Sequence, residues 1–322
     1  MAAERPAQAG TGGIATSILR GTLREQESMQ RHCSWRAGGT ARRFYVPADL
    51  ADLQVMLSHR PAQEVLYMVG LGSNLLVRDG GIDATLVLSH GALSTIATRP
   101  HNDAVLLDVE AGVAAPKVAR FAARHGLEGA EFLAGIPGTL GGALAMNAGC
   151  YGSETWQHVV EVTTIDRLGA LRVRPPADFT VGYRQVALVT PPAGPQLAPL
   201  PEWFVSARLR FAPGDGLRSA QRIRELLMRR ISSQPLQQPN AGSVFRNPQG
   251  DHAARLIEAC GLKGRQIGGA QVSLRHANFI VNVGGACAAD IETLLGLVQT
   301  TVQARTGIHL EPEVRIIGKE QA

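Results

Sequence analysis

Apolar positions along this chain follow two rhythms. Short apolar or alternating runs mark strands, and recurrences at three and four residues mark helices. Between 41 and 88 the runs ARRFYVPA, EVLYMVGLGSNLLV and ATLVL predict strands. A helix is expected over 49–57, with Asp49 as its cap. AVLLDVEAGV (104–113) predicts another strand. Pro116 then opens a helix with Val118, Phe121 and Ala122 on its apolar face, and Gly126 ends it. VVEVTTIDR and ALRVRP predict two strands joined by a turn at Leu168-Gly169. The Pro-rich stretch 190–201 reads as a loop, and WFVSARLRF (203–211) as a further strand. From about 213 helices take over. One spans 217–231 with Ile223, Leu226 and Leu227 on its face. The next, HAARLIEAC, has Asp251 as cap and Gly261 past its end. A third runs from Asp290 to Arg305, with Ile291, Leu294, Leu295, Val298 and Val302 in one stripe and Gly307 closing it. FIVNV (279–283) and PEVRIIG (312–318) add strands. The pattern is α+β throughout, with a boundary near 212 and a weaker one near 90.

Composition narrows the class. The chain has 322 residues, 45% of them apolar, so it has the length and apolar content for more than one folded core. Glycine is in excess at 36 residues, without a period of three, which excludes collagen and points to turns and close backbone approaches. The net charge of +5 admits a nucleic acid or a small anionic ligand. Only 5% of residues are aromatic, too sparse for a base-stacking surface. No recognition-helix or zinc pattern appears, so nucleic acid is not an expected partner. No run approaches the roughly 20 apolar residues of a membrane span, and the N-terminus lacks a secretory pattern. The expected compartment is the cytoplasm. Cys33, Cys150, Cys260 and Cys287 form no CxxC pair, so they predict neither a disulfide framework nor a metal site.

Three glycine-rich segments carry candidate chemistry. Gly70-Leu71-Gly72-Ser73-Asn74 follows a strand, but the third glycine of a dinucleotide fingerprint is missing and a second strand follows, so a Rossmann reading fails. Two readings remain: a nest of backbone N–H groups for a phosphate, or a plain strand-turn-strand. The run 135–149 has no P-loop lysine. It is small and apolar, which suits close approach to a planar ring; its alternative is a tight turn with a buried small-residue helix. Ser243 in Ala-Gly-Ser-Val lacks the GxSxG elbow, and no local pattern selects a histidine to pair with it.

The ordered set GLGSNLLV, GIPGTLGGALAMNAGCYG, GYR, NAGSVFRNP, IGGAQVS…HANFIVN and LEPEVRIIG closely resembles the UDP-N-acetylenolpyruvoylglucosamine reductase family, also called UDP-N-acetylmuramate dehydrogenases. The resemblance covers about Met29 to Gly318 and matches the shorter branch, which lacks a tyrosine-bearing loop after Asn247. It implies an α+β fold with a vanillyl-alcohol-oxidase-type FAD-binding region of two α+β lobes (29–90 and 91–212). A flexible tail (1–28) precedes them and a substrate-binding domain (213–322) follows. It further implies non-covalent FAD, NADPH as hydride donor and the UDP-N-acetylglucosamine enolpyruvyl ether as substrate, in a monomer. Its alternative is another FAD-dependent sugar or alcohol oxidoreductase of the same superfamily.

Residue by residue, the resemblance places Gly70, Gly72, Ser73 and Asn74 at the FAD pyrophosphate. Gly135, Ile136, Pro137, Gly138, Gly141, Asn147 and Gly149 fall near the flavin ring. Arg184, Ser243 and Glu313 match the catalytic positions, and Tyr183, Asn247, Arg246 and His276 match positions near the substrate. No metal is implied. Two departures stand out: Cys33 replaces a threonine of the lead-in motif, and Ser233 replaces a phosphate-binding lysine, for which Arg229 or Arg230 would compensate. The implied chemistry suits these residue types. An arginine is permanently charged and planar, a natural partner for the substrate carboxylate. Glu313 is expected to be protonated or tied to Arg184, since a free carboxylate would repel the substrate's own. Ser243 is expected to supply the proton.

Overall fold

A computed structural model describes residues 18–61, 63–101, 104–189 and 202–321. The loop expected over 190–201 lies outside them. In the first lobe, β1 (Thr22–Ser28), β2 (Thr40–Val46), α1 (Leu50–Ser58), β3 (Leu66–Val69), β4 (Leu75–Val77) and β5 (Ile82–Leu88) follow in order. Four strands form a sheet in the order β1-β2-β5-β3. Asp49 caps α1 as expected, its side chain accepting the Asp52 N–H. The tail expected through residue 28 ends earlier, because Thr22–Ser28 pairs antiparallel with β2. Most residues of β1 are exposed, so no apolar alternation announced it.

The second lobe contains β6 (Ile96–His101), β7 (Ala104–Glu110), α2 (Ala115–Arg124), β8 (Leu127–Glu128), α3 (Leu140–Ala145), β9 (Gly149–Cys150), β10 (Ser153–Glu154), β11 (Val159–Asp166), β12 (Leu171–Arg174), β13 (Phe179–Gly182), β14 (Gln185–Leu188), β15 (Glu202–Pro213) and α4 (Gly216–Ser233). Its antiparallel sheet runs β12-β11-β15-β7-β6. The boundary expected near 212 falls in the chain but not in the packing. Ile223 of α4 is buried in the second lobe's core, with Leu227 against it. By packing, α4 belongs to lobe two.

The third part holds α5 (Ala253–Ala259), β16 (Gln266–Ile267), β17 (Ala270–Val272), β18 (Ile280–Asn282), α6 (Ala288–Thr306) and β19 (Arg315–Ile317). Gly307 ends α6 in the left-handed region at φ 73°, where glycine pays no Cβ penalty. Asp251 is not the cap of α5. His252 occupies that position, and the Asn247 side chain takes the Ala253 N–H. Two features bind this part to the first lobe. β19 pairs in parallel with β4. Trp35, in the lead-in motif Cys33-Ser34-Trp35-Arg36-Ala37-Gly38-Gly39, lies fully buried in the third part's core and donates its indole N–H to the Ile280 carbonyl at 2.8 Å. Among the described residues no helix is long and apolar enough to cross a membrane.

Candidate active site

A cavity of about 680 Å³ lies where the three parts meet. The loop between β3 and β4 supplies Gly70, Gly72, Ser73 and Asn74, and the stretch leading into α3 supplies Gly135, Ile136, Pro137 and Gly138. Gly149, Arg184, Ser243 and Glu313 complete the expected residues that line it. The two glycine loops abut. A Cβ at Gly70 would strike the Thr139 hydroxyl, and one at Gly72 would strike the His32 carbonyl. Gly72 also has φ +60°, so backbone and space both demand glycine there. Thr139 caps α3 and is itself buried.

Ser243 and Glu313 are brought together by backbone. The Asn240 side chain accepts the Gly242 N–H at 2.9 Å and turns the chain into Ser243. Glu313 N–H then donates to the Val244 carbonyl at 2.8 Å, and Phe245 bridges Pro312. Asn74 has a further duty: its side chain donates to the Glu313 carbonyl at 3.1 Å and its carbonyl accepts the Arg315 N–H. The loop expected at the pyrophosphate thus also anchors the segment that carries Glu313 into β19.

Arg184 sits in the two-residue turn between β13 and β14, at φ +55°. Its Nε donates to Glu313 Oε1 at 2.7 Å, and its two terminal nitrogens reach the carbonyls of Asn147 and Gly149 at 3.3 and 3.4 Å. Burial raises the Glu313 pKa above the ordinary carboxylate value, while Arg184 and then Arg246 pull it down; burial prevails. The expectation offered a protonated Glu313 or one tied to Arg184. The geometry has the tie, and burial eases protonation.

Several expected residues do not line the cavity. Gly141, in the first turn of α3, packs against Ala111. Asn147 is buried, and its side chain is committed to Glu154, to the Gly182 carbonyl and to the Trp156 N–H. It supports the Arg184 hairpin from below. Tyr183 is exposed beside the Arg184 guanidinium, 5.1 Å from ring centroid to carbon. Arg246 reaches Glu311 and donates to the Arg184 carbonyl at 3.4 Å. Asn247 serves α5, and the His276 ring accepts the Asn278 N–H.

The cavity is also lined by Gln234, Phe279 and Arg315, to which the motifs assign no role, and by Arg230. Arg230 stands seven residues after Ile223 and four after Leu226, on the buried stripe of α4, so the helical period pointed at it. Of Arg229 and Arg230, the two substitutes for the lysine missing at Ser233, it is the one that lines the cavity. Burial lowers its pKa, with Cys150 and Tyr151 opposing. Three arginines (184, 230 and 315) thus face one glutamate, which suits an anionic ligand. Cys33 is buried beneath, its thiol pushed up to about 12 by burial, and it offers no hydroxyl. Among the described residues no cluster of metal-ligating side chains occurs.

Ile136, Pro137, Ala143 and Ala148 give the cavity an apolar lining beside Gly70, Gly72 and Gly135, where a Cβ would collide with neighbouring atoms, which suits a flat ring with an anionic tail. Residues 41–173 match the family model described as FAD binding domain, so the first class is that of FAD-binding proteins. Residues 234–317 match the C-terminal domain of UDP-N-acetylenolpyruvoylglucosamine reductase. Two proteins of that name are similar over nine-tenths or more of their length. One, from Thiobacillus denitrificans, is 57% identical over 320 residues, 96% of each chain. The other, from Nitrosospira multiformis, is 54% identical over 93% of this chain and 90% of its own. The crystal structure of the Thermus caldophilus enzyme of that name superposes with a TM-score of 0.73 at 30% identity, covering 92% of this chain and 99% of that one. The chain belongs to the UDP-N-acetylenolpyruvoylglucosamine reductase family. It is a flavoprotein oxidoreductase, a UDP-N-acetylmuramate dehydrogenase of peptidoglycan precursor synthesis.

Proposed function

We propose that Arg184, Ser243 and Glu313 carry the reduction of the enolpyruvyl group of UDP-N-acetylenolpyruvoylglucosamine to a lactyl ether, in a cytoplasmic monomer. The observation that supports this most is their convergence, from three separate segments, on the one cavity that the glycine loops also line. Gly70, Gly72, Ser73, Gly135, Ile136, Pro137 and Gly138 would hold FAD. Cys150 also lines the cavity, and burial raises its thiol pKa, which makes it a poorer nucleophile. When bound, FAD supplies the hydride to the methylene carbon and NADPH replenishes it.

What the chain's own residues do follows from charge. Negative charge develops on the carbon beside the substrate carboxylate. Arg184, fixed by Glu313 and by two backbone carbonyls, offers a preorganised cation there. A substrate carboxylate that draws on Arg184 weakens its hold on Glu313, whose buried carboxyl then takes up a proton more readily. A neutral Glu313 does not repel the substrate. Ser243 gives its proton to the carbon beside the carboxylate, which completes the saturated product. A serine hydroxyl is a weak acid, so this step depends on a strongly basic carbon and on placement. Arg230 and Arg315 draw in the diphosphate and the cofactor phosphates.

The test separates the two half-reactions. Ser243→Ala is expected to be reduced by NADPH at a normal rate, while its reoxidation by substrate falls by about 10²–10⁴-fold, the usual range for general acid catalysis. Normal reoxidation in Ser243→Ala would remove the serine from the mechanism.

A further inference from the structure

Ser243 needs exact placement, yet its segment lies in a loop and not in a sheet. One buried side chain supplies the missing neighbour. Asn278 is 2% exposed. Its Oδ1 accepts the Phe245 N–H at 3.0 Å, and its Nδ2 donates to the Phe245 carbonyl at 2.8 Å. Its own carbonyl accepts the Val244 N–H at 2.9 Å. The amide thus pairs with Phe245 as a strand backbone would, through one donor and one acceptor. On the other side, Glu311 and Glu313 pair with Arg246 and Val244. Asn278 spends its last polar group, the backbone N–H, on the His276 ring at 3.3 Å. Every hydrogen-bonding group of this buried residue is used, three of them on the two residues after Ser243.

We propose that Asn278 is a positioning residue for the protonation step, replacing a strand beside Val244–Phe245 and fixing Ser243 in register with Glu313. It does not line the cavity, so it acts through Ser243 and not on the substrate. The proposal rests on the reading of Ser243 as the proton donor. Without the amide, the buried N–H and C=O of Phe245 lose both partners, and the segment shifts to find others. A displacement of about 1 Å at a reacting group is enough for a loss on the order of 100-fold.

The experiment uses FAD-loaded enzyme in anaerobic stopped flow. Flavin absorbance follows reduction by NADPH and then reoxidation by UDP-N-acetylenolpyruvoylglucosamine, with rates taken per bound flavin. Asn278→Ala is expected to be reduced within about twofold of the unsubstituted rate and to reoxidise about 10–100-fold more slowly. The double variant with Ser243→Ala is expected to be no slower than Ser243→Ala alone, because the positioned group is gone. Asn278→Asp adds a signature that general loosening would not give. A protonated carboxyl carries one donor and one acceptor, as the amide does, so its reoxidation rate, as a ratio to the unsubstituted enzyme at the same pH, should rise as pH falls. If Asn278→Ala does not fold, this ratio decides the matter, and a flat ratio overturns the proposal. Equal losses in both half-reactions, no loss in either, or losses that multiply with Ser243→Ala also overturn it. Normal reoxidation in Ser243→Ala would sink the serine reading and this proposal together. A slow Ser243→Ala beside normal Asn278 variants would sink this proposal alone.

Discussion

Arg184 and Asn147 both occupy the left-handed backbone region, at φ +55° and +40°. For a residue with a Cβ this costs on the order of 1–2 kcal/mol, and it persists only where the surroundings enforce it. Here they do: Asn147 bonds the carbonyl of Gly182, just before the turn, and Arg246 bonds the Arg184 carbonyl within it. The strain aims the guanidinium at Glu313. Arg184→Lys keeps the charge but loses the fork that reaches Glu313, Asn147 and Gly149 together. Its substrate-dependent reoxidation is expected to fall about 10²–10³-fold with FAD still bound, measured by stopped flow and by the flavin spectrum. A normal rate would take Arg184 out of the mechanism. Glu313 adds a pH test. Its carboxyl is raised by burial, against Arg184, so its neutral form survives above the ordinary glutamate range and is lost as pH rises through the raised value. Reoxidation is expected to decline through that window, and Glu313→Gln, which cannot ionise, should abolish this limb of the pH profile. A limb that survives in Glu313→Gln belongs to another group.

Strands and helices with an apolar period were legible in the sequence, and those stabilised by pairing alone were not. The Ile291–Val302 stripe gave α6, and all five stripe residues are buried. β1 has almost no buried positions and exists because β2 offers it hydrogen bonds, so the chain looked like tail there. The site shows the same division. Glycine loops and the Arg184, Ser243 and Glu313 motifs are local signals, and each reaches the cavity. Asn74, Asn147 and Asn278 act across the chain, and nothing near Asn278 in sequence announces its partner 33 residues away. Spacing likewise could not show that Asn247 serves a helix end. One loop offers a test at this scale. Gly72→Ala places a Cβ against the His32 carbonyl at a φ that alanine rarely adopts. It is expected to lose flavin from the purified protein and to lower stability by about 2 kcal/mol or more, read by absorbance and thermal unfolding. Full flavin content with unchanged stability would show that the loop relaxes freely.

The three parts work as one body because the lead-in segment and the last strand cross between them. Trp35 lies in the third part's core, and β19 lies beside β4 of the first lobe. Trp35→Ala should therefore cost about 3–5 kcal/mol, the usual range for a buried large aromatic, and should weaken substrate binding as the third part loosens. A small change in unfolding midpoint would contradict the packing. The charge balance of +5 and the glycine excess also find places at this scale. Seven of the 36 glycines and three arginines line the cavity, so the KM for both anionic substrates is expected to rise with ionic strength. The most direct measurement is an anaerobic titration of the purified yellow protein. NADPH should bleach the flavin spectrum, and stoichiometric UDP-N-acetylenolpyruvoylglucosamine should restore it while UDP-N-acetylmuramate forms. A flavin that NADPH bleaches but this substrate fails to reoxidise would contradict the assignment.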